Sequence, residues 1–166
     1  MDDFDKRKLF PIKPITPFAK SILKDTPIVA FDIGAAAWLL PHWSRLESVA
    51  NFYMVEPCPN SIEELKKIIQ NKESSHLYHL LPYALSDTGG KKILYVSNCP
   101  TGSSLIPIEE QINYSFREYC NLEYFYPVHE QEIDTYRLQD ILKNKGLSSI
   151  DYIKLDVQGT ELDILK

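Results

Sequence analysis

Three short apolar runs constrain this chain more than anything else in it: PIVAFDIG (Pro27–Gly34), NFYMVEP (Asn51–Pro57) and IDYIKLDVQG (Ile150–Gly159). PIVAFDIG does not alternate polar with apolar residues, and IDYIKLDVQG reads as another buried-type strand. That pattern suits strands covered on both faces, as in a parallel sheet. Each run also ends in a carboxylate: Asp32, Glu56 and Asp156. Helix-type segments separate the strands, so the chain reads as successive βαβ units. The predicted fold class is α/β, a doubly wound and mostly parallel sheet. In such sheets ligands bind outside the carboxyl ends of the strands, where these three acidic residues would gather.

The connecting segments support this layout. NSIEELKKIIQNKE predicts a helix capped by Asn60 or Ser61, with Glu63 and Glu64 in its first turn and an apolar stripe of Ile62, Leu65, Ile68 and Ile69. A further helix is expected from Pro41 to about Ser48, proline being well placed at a first helical position. HLYHLLPYAL reads as a third strand, SDTGG as a turn, and KKILYVS as an edge or hairpin strand. YFYPVHEQEI regains strand character, RLQDILKNKG is a helix stopped by Gly146, and TELDILK begins another helix. FPIKPITPFAKSILKDTP holds four of the eleven prolines. It predicts an extended arm over Phe10–Pro17 and a short helix over Pro17–Lys24. The organisation read from these signals is an arm with a short helix (1–26) and one ligand-binding domain (27–166).

Composition narrows the function. With 18 basic against 23 acidic residues the net charge is −5, which supplies no field for nucleic acid or anionic lipid. The basic cluster DKRK is short and lies near the start of the chain. No run approaches the roughly 18 apolar residues needed to span a bilayer, and MDDFDKRK has no apolar core of a secretion signal behind it. Three cysteines (Cys58, Cys99, Cys120) without CxxC spacing fit reduced thiols better than a disulfide framework. His42, His76, His79 and His129 form no metal-ligand pattern. A cytoplasmic protein without metal, membrane or nucleic-acid partner is expected.

The chemistry is concentrated at the strand ends. Glu56 lies 24 residues after Asp32, near the roughly 20-residue spacing that one βαβ turn produces. A carboxylate there can accept hydrogen bonds from both hydroxyls of an adenosine ribose. The first loop, DIGAAAW, holds one glycine and lacks GxGxxG, so a dinucleotide pyrophosphate would find no close backbone cradle. That combination favours an adenosine-containing ligand without phosphates.

FDIGA, YMVEP, PYALSD, SSL, EIDTYRLQDIL and above all IDYIKLDVQGTELDILK resemble the FkbM-type S-adenosylmethionine-dependent methyltransferases, over about Ile28 to Lys166. The resemblance implies a class I methyltransferase fold and O-methylation of a sugar or other hydroxylated small molecule, with S-adenosylmethionine as cofactor. It also implies roles for individual residues. Asp32, Gly34 and Ala35 would line the methionine end of the cofactor, and Glu56 would hold the ribose. Pro57 and Cys58 would border the adenine. Ala84, Leu85 and Ser86 would contact it by backbone and wall, with Asp87 beside its exocyclic amine. Asp156 would face the sulfonium, orienting the cofactor or the acceptor hydroxyl. It leads the candidates for a base, ahead of His129 and His42. Glu161 would act directly or cap the neighbouring loop.

The sequence departs from the family pattern at three places. Trp38 stands where D-x-G-x-x-x-G places its second glycine, so its indole either turns away or narrows the methionine pocket. Gln158 and Thr160 replace acidic and histidine residues beside Asp156. Family members also continue with further strands beyond the point corresponding to Lys166, which implies a fragment of a longer protein or an open sheet edge covered by a second copy. The other function considered is a non-catalytic module of the same fold. Tyr114, Phe116, Tyr119, Tyr124, Phe125 and Tyr126 are candidate acceptor-side or core aromatics.

Overall fold

The computed structural model describes residues 15–107 and 127–166. The N-terminal arm and the aromatic segment from Tyr114 to Tyr126 lie outside these residues. The chain opens with α1 (Pro17–Leu23), whose first turn is capped by the Thr16 side chain accepting from Ala19 N–H at 3.2 Å. It continues through β1 (Ile28–Ile33), β2 (Ala50–Val55), α2 (Pro59–Gln70), β3 (Tyr78–Leu81), β4 (Ala84–Leu85), β5 (Gly90–Ser97), β6 (Pro127–Tyr136), α3 (Leu138–Lys145), β7 (Tyr152–Leu155) and α4 (Glu161–Ile164).

β1, β2, β3 and β7 form a parallel sheet in the order β3-β2-β1-β7. Two of the three apolar runs, β1 and β2, occupy its centre, whereas the third, β7, lies at the edge with no fully buried residue. Side chains alternate across this sheet, and both faces are covered. Ala30, Phe52 and Met54 pack with Trp43 and with Leu65 and Ile69 of α2. Phe31, Ile33, Tyr53 and Val55 pack on the other face with Ile141 of α3 and Ile164 of α4. Full burial of each such large apolar side chain contributes about 1.5–3 kcal/mol. Continuous apolar runs are the sequence signature of this two-sided covering.

A second sheet, in the order β4-β6-β5, joins a parallel pair (β4 with β6) to an antiparallel one (β5 with β6). The expected single strand HLYHLLPYAL is thus divided between two sheets. Pro82 has no N–H to give a ladder, and Tyr83 N–H turns back to the Leu81 carbonyl at 2.9 Å. The chain resumes as β4 against a different neighbour.

Three smaller expectations are corrected. The helix from Pro41 to Ser48 is a single 3-10 turn, Pro41–Arg45. α2 starts at Pro59 with Cys58 as its cap residue rather than Asn60 or Ser61, because Pro59 already has the fixed φ of a first helical position. The last β-hairpin strand runs to Tyr136 instead of ending at Ile133. Gly146 does end α3, in the left-handed conformation (φ +66°).

Candidate functional site

A cleft opens at the carboxyl ends of β1, β2 and β7, with the second sheet as its opposite wall. Its water-accessible volume is about 180 Å³. Gly34, Ala35, Ala36 and Trp38 of the loop after β1 line it, with Glu56 and Pro57 after β2 and Ala84 and Leu85 of β4. Lys154, Asp156, Val157 and Thr160 form the β7 side, and Leu94, Thr101, Ser103, Ser104 and Leu105 face them.

The loop after β1 is shaped by a close approach. Gly34 has φ +76°, and a Cβ there would lie 2.0 Å from the Asp156 carbonyl oxygen. Only glycine lets the ends of β1 and β7 meet this closely. Ala36 also has positive φ (+54°), a conformation that costs a non-glycine residue about 1–2 kcal/mol. Glu56 holds it there: Oε2 accepts from Ala36 N–H and Oε1 from Cys58 N–H, each at 2.8 Å. Burial pushes the Glu56 carboxyl above the usual carboxylate range, as does Asp32, against the opposing pull of the two N–H donors and of Lys154. A carboxylate offers about four lone-pair sites. Two are used, so Glu56 keeps acceptor capacity in the cleft wall.

Asp32 is placed differently from its expected role. It is 1% exposed and lies beneath the cleft instead of lining it. Its Oδ2 accepts from Trp43 Nε1 at 2.7 Å, and its Oδ1 pairs with Lys154 Nζ at 3.2 Å. The register explains this: Asp32 and Lys154 are directly opposed in the parallel ladder, so their side chains share the sheet face that Trp43 covers. Lys154 also donates to the Gly34 carbonyl at 2.6 Å and stands 3.7 Å from Asp156 Oδ2. It is the group at this strand pair that reaches the cleft.

Asp156 lines the cleft with its side chain 56% exposed, and Gln158 Nε2 donates to its Oδ1 at 3.1 Å. Glu161 caps the loop that follows. Its carboxylate accepts from Val157 N–H at 3.0 Å and from Gly159 N–H at 3.0 and 3.3 Å. Desolvation pushes its pKa up, but the backbone N–H donors outweigh this and hold it below the usual range. Of the two roles considered for Glu161, the geometry shows the loop-capping one.

Other predicted residues divide. Gly34, Ala35, Glu56, Pro57, Ala84, Leu85 and Asp156 are brought together around the cleft. Cys58 is buried behind Glu56, outside the lining. Ser86 is buried in the second sheet, its hydroxyl 2.8 Å from that of Thr135 and accepting from Gly89 N–H at 3.0 Å. Asp87 is directed to the surface, where Lys92 Nζ sits 3.1 Å away and lowers its pKa by a side-chain hydrogen bond. His129 is exposed on β6, away from the cleft lining. The side chain of His42 lies outside the described part of the structure. Trp38 is 46% exposed at the cleft.

Sequence reasoning missed Lys154 and Trp43. For Lys154 a signal was present: two positions before Asp156 on a strand, it must share a face with it. For Trp43 there was none, because its reach to Asp32 depends on the 3-10 turn that carries it. Among the described residues no group of three or more side chains forms a metal-holding cluster, and no helix is long and apolar enough to cross a membrane.

Residues 32–166 match the family described as the methyltransferase FkbM domain. Methyltransferase sdnD of Sordaria araneosa is 27% identical over 160 residues, covering 87% of this chain and 61% of that protein. The chain thus spans less than two thirds of this relative's length. No solved structure matches.

Proposed function

This chain belongs to the FkbM methyltransferase family, and on that premise we propose that it binds S-adenosylmethionine in the cleft and transfers its methyl group to a hydroxyl oxygen of a small molecule. The observation that supports the reading best is Glu56: a carboxylate buried in the cleft wall, anchored by two backbone donors and with acceptor sites left for a vicinal diol. Gly34 and Ala35 would flank the methionine portion, and Pro57, Ala84 and Leu85 would wall the adenine. The single glycine of the loop argues against a dinucleotide, since no further glycine brings backbone N–H groups close to a pyrophosphate. The charge balance agrees. Glu56 and Asp156 outnumber Lys154 among the charged lining residues, which disfavours a polyanion and suits a cationic ligand.

Bound S-adenosylmethionine supplies a methyl carbon already activated by its sulfonium. The protein's share of the work is then alignment and exclusion of water, with Asp156 placed at the cleft to orient a hydroxyl and accept its proton. Acceptors of the sugar or natural-product class fit a wall that mixes Leu94 and Leu105 with Thr101 and Ser103.

Calorimetry with S-adenosylhomocysteine tests the reading. The chain should bind it, and Glu56→Ala should abolish the heat while leaving far-ultraviolet circular dichroism unchanged. No binding by the wild-type chain, or tight binding of NAD, overturns it. Trp38 at the cleft motivates a second reading, a module that binds without catalysing. Methyl transfer to any hydroxylated acceptor by this chain rules that out.

A further inference from the structure

Thr160 carries a buried hydroxyl that the folded chain leaves unused. The residue is 8% exposed, and its Oγ1 has no hydrogen-bond partner among the described residues. It stands at the cap position of α4, yet its side chain makes no capping bond. Arg45 Nε and Ser61 Oγ share this condition, but neither residue lines the cleft, whereas Thr160 does. A buried polar atom without a partner lowers stability, so the fold carries a penalty that a bound molecule can offset.

The other hydroxyls on this side of the cleft are engaged. Thr101 Oγ1 lies 3.0 Å from Cys99 Sγ, and Ser103 Oγ accepts from Ser97 N–H at 3.1 Å. Ser104 Oγ donates to the Gln158 carbonyl at 2.8 Å and accepts from Ile106 N–H at 3.0 Å. The bond from Ser104 has a second effect. Together with Ile106, whose Cδ1 lies 3.2 Å from the position a Cβ on Gly159 would take, it ties the two residues before Thr160 to the segment that carries Leu105. Thr160 therefore belongs with the wall of residues 103–105 and not with Glu56, whose bonds run to Ala36 and Cys58.

A single neutral hydroxyl donates one hydrogen bond and accepts others. It cannot replace the hydration of a charge, so the ligand group it meets is uncharged. We propose that Thr160 is a specificity-determining residue for the methyl acceptor: it hydrogen-bonds a second hydroxyl, adjacent to the one that Asp156 orients, so that the cleft selects polyols over mono-alcohols. This role rests on the donor reading above and gives its acceptor a chemical requirement. Asp156, with its side chain 56% exposed, stands at the open part of the cleft, and Thr160, on the same loop, stands in the buried wall. An acceptor with hydroxyls on neighbouring carbons presents one to each, while a mono-alcohol leaves Thr160 unpaired. Thr160 is also a place where the sequence departs from the family pattern, so the requirement is particular to this chain.

Three measurements test it. In a thermal melt Thr160→Val, which keeps the shape and removes the unpaired hydroxyl, should have a Tm no lower than wild type. A clear loss means that the hydroxyl is bonded within the chain, and overturns the proposal. In calorimetry S-adenosylhomocysteine should bind wild type and Thr160→Val equally. Weakening by about tenfold or more assigns the hydroxyl to the donor and overturns the acceptor role. Finally, methyl transfer from S-adenosylmethionine is followed with methyl hexopyranosides and with their derivatives lacking one hydroxyl that flanks the methylated position. Wild type should lose about tenfold or more in kcat/KM when one of these flanking hydroxyls is missing, the scale of a hydrogen-bonding group left unpaired. Thr160→Val should treat the two glycosides alike, and Thr160→Ser should restore the discrimination. Discrimination that survives in Thr160→Val, or methylation of no glycoside while S-adenosylhomocysteine still binds, overturns the acceptor role and leaves the donor reading intact. Failure of wild type to bind S-adenosylhomocysteine overturns both.

Discussion

Replacing Gly34 by alanine tests whether the loop after β1 owes its glycine to the ligand or to the chain itself. The structure gives two separate penalties. The first is conformational: at φ +76° an L-residue is disfavoured by about 1–2 kcal/mol. The second is steric, since the new Cβ would lie 2.0 Å from the Asp156 carbonyl oxygen and 2.9 Å from its carbon. Ordinary contact requires the ends of β1 and β7 to separate by more than about 1 Å. That movement strains the Asp156 N–H bond to the Ile33 carbonyl (3.0 Å) and the Lys154 bond to the Gly34 carbonyl (2.6 Å), each contributing about 1 kcal/mol. The sum is about 3–4 kcal/mol. Gly146→Ala isolates the first penalty, because Gly146 has φ +66° and no atom within 4 Å of its would-be Cβ. Urea denaturation followed by circular dichroism should show Gly34→Ala lowering the midpoint by roughly 1.5 M at a typical slope of about 2 kcal/mol/M, and Gly146→Ala by less than half of that. Equal losses in the two variants would refute the close-approach argument.

Three further outcomes follow from the same geometry. Trp43→Phe keeps the ring packing but removes the indole donor to buried Asp32. It should cost about 3 kcal/mol and lower Tm by roughly 9 °C; a loss under about 1 kcal/mol in a thermal melt contradicts the pairing. Glu56 has a folded pKa above its ordinary 4.5, so the folded state holds its proton more tightly than the unfolded one. Its contribution to stability is therefore present below pH 4.5 and lost as pH rises through the folded value. Binding of S-adenosylhomocysteine, which needs the ionised carboxylate, should instead strengthen over that rise, and Glu56→Gln should flatten the profile measured by calorimetry. Glu161 is shifted the other way: its contribution is present above pH 4.5 and lost as pH falls through the folded value. Glu161→Ala should cost about 1 kcal/mol at pH 7 and progressively less as pH falls through the folded value, read from urea midpoints across a pH series.

The sequence alone determined the two central strands and their burial, while the third apolar run became the edge strand β7, with Tyr152 45% exposed. An apolar run without polar alternation has one physical meaning when its length is that of a strand, and PIVAFDIG and NFYMVEP accordingly form the two central strands of the parallel sheet. It also determined that carboxylates would gather at one edge, since parallel strands all end on the same side. The apolar stripe of Ile62, Leu65 and Ile69 identified α2, and the αL preference of glycine placed the end of α3. Tertiary structure decided what each carboxylate does. Asp32, Glu56 and Asp156 look alike as strand-end acids, yet one is enclosed under Trp43, one grips the backbone of the neighbouring loop, and one stands open beside a lysine. Pro82 moved half of a predicted strand into a second sheet, carrying Ser86 and Asp87 away from the cleft. The reason for the division is range. Periodicity, capping and backbone preference act within a few residues and are written locally, whereas the environment of a side chain is set by partners such as Asp32 and Lys154, 122 positions apart, that meet only when the sheet has formed.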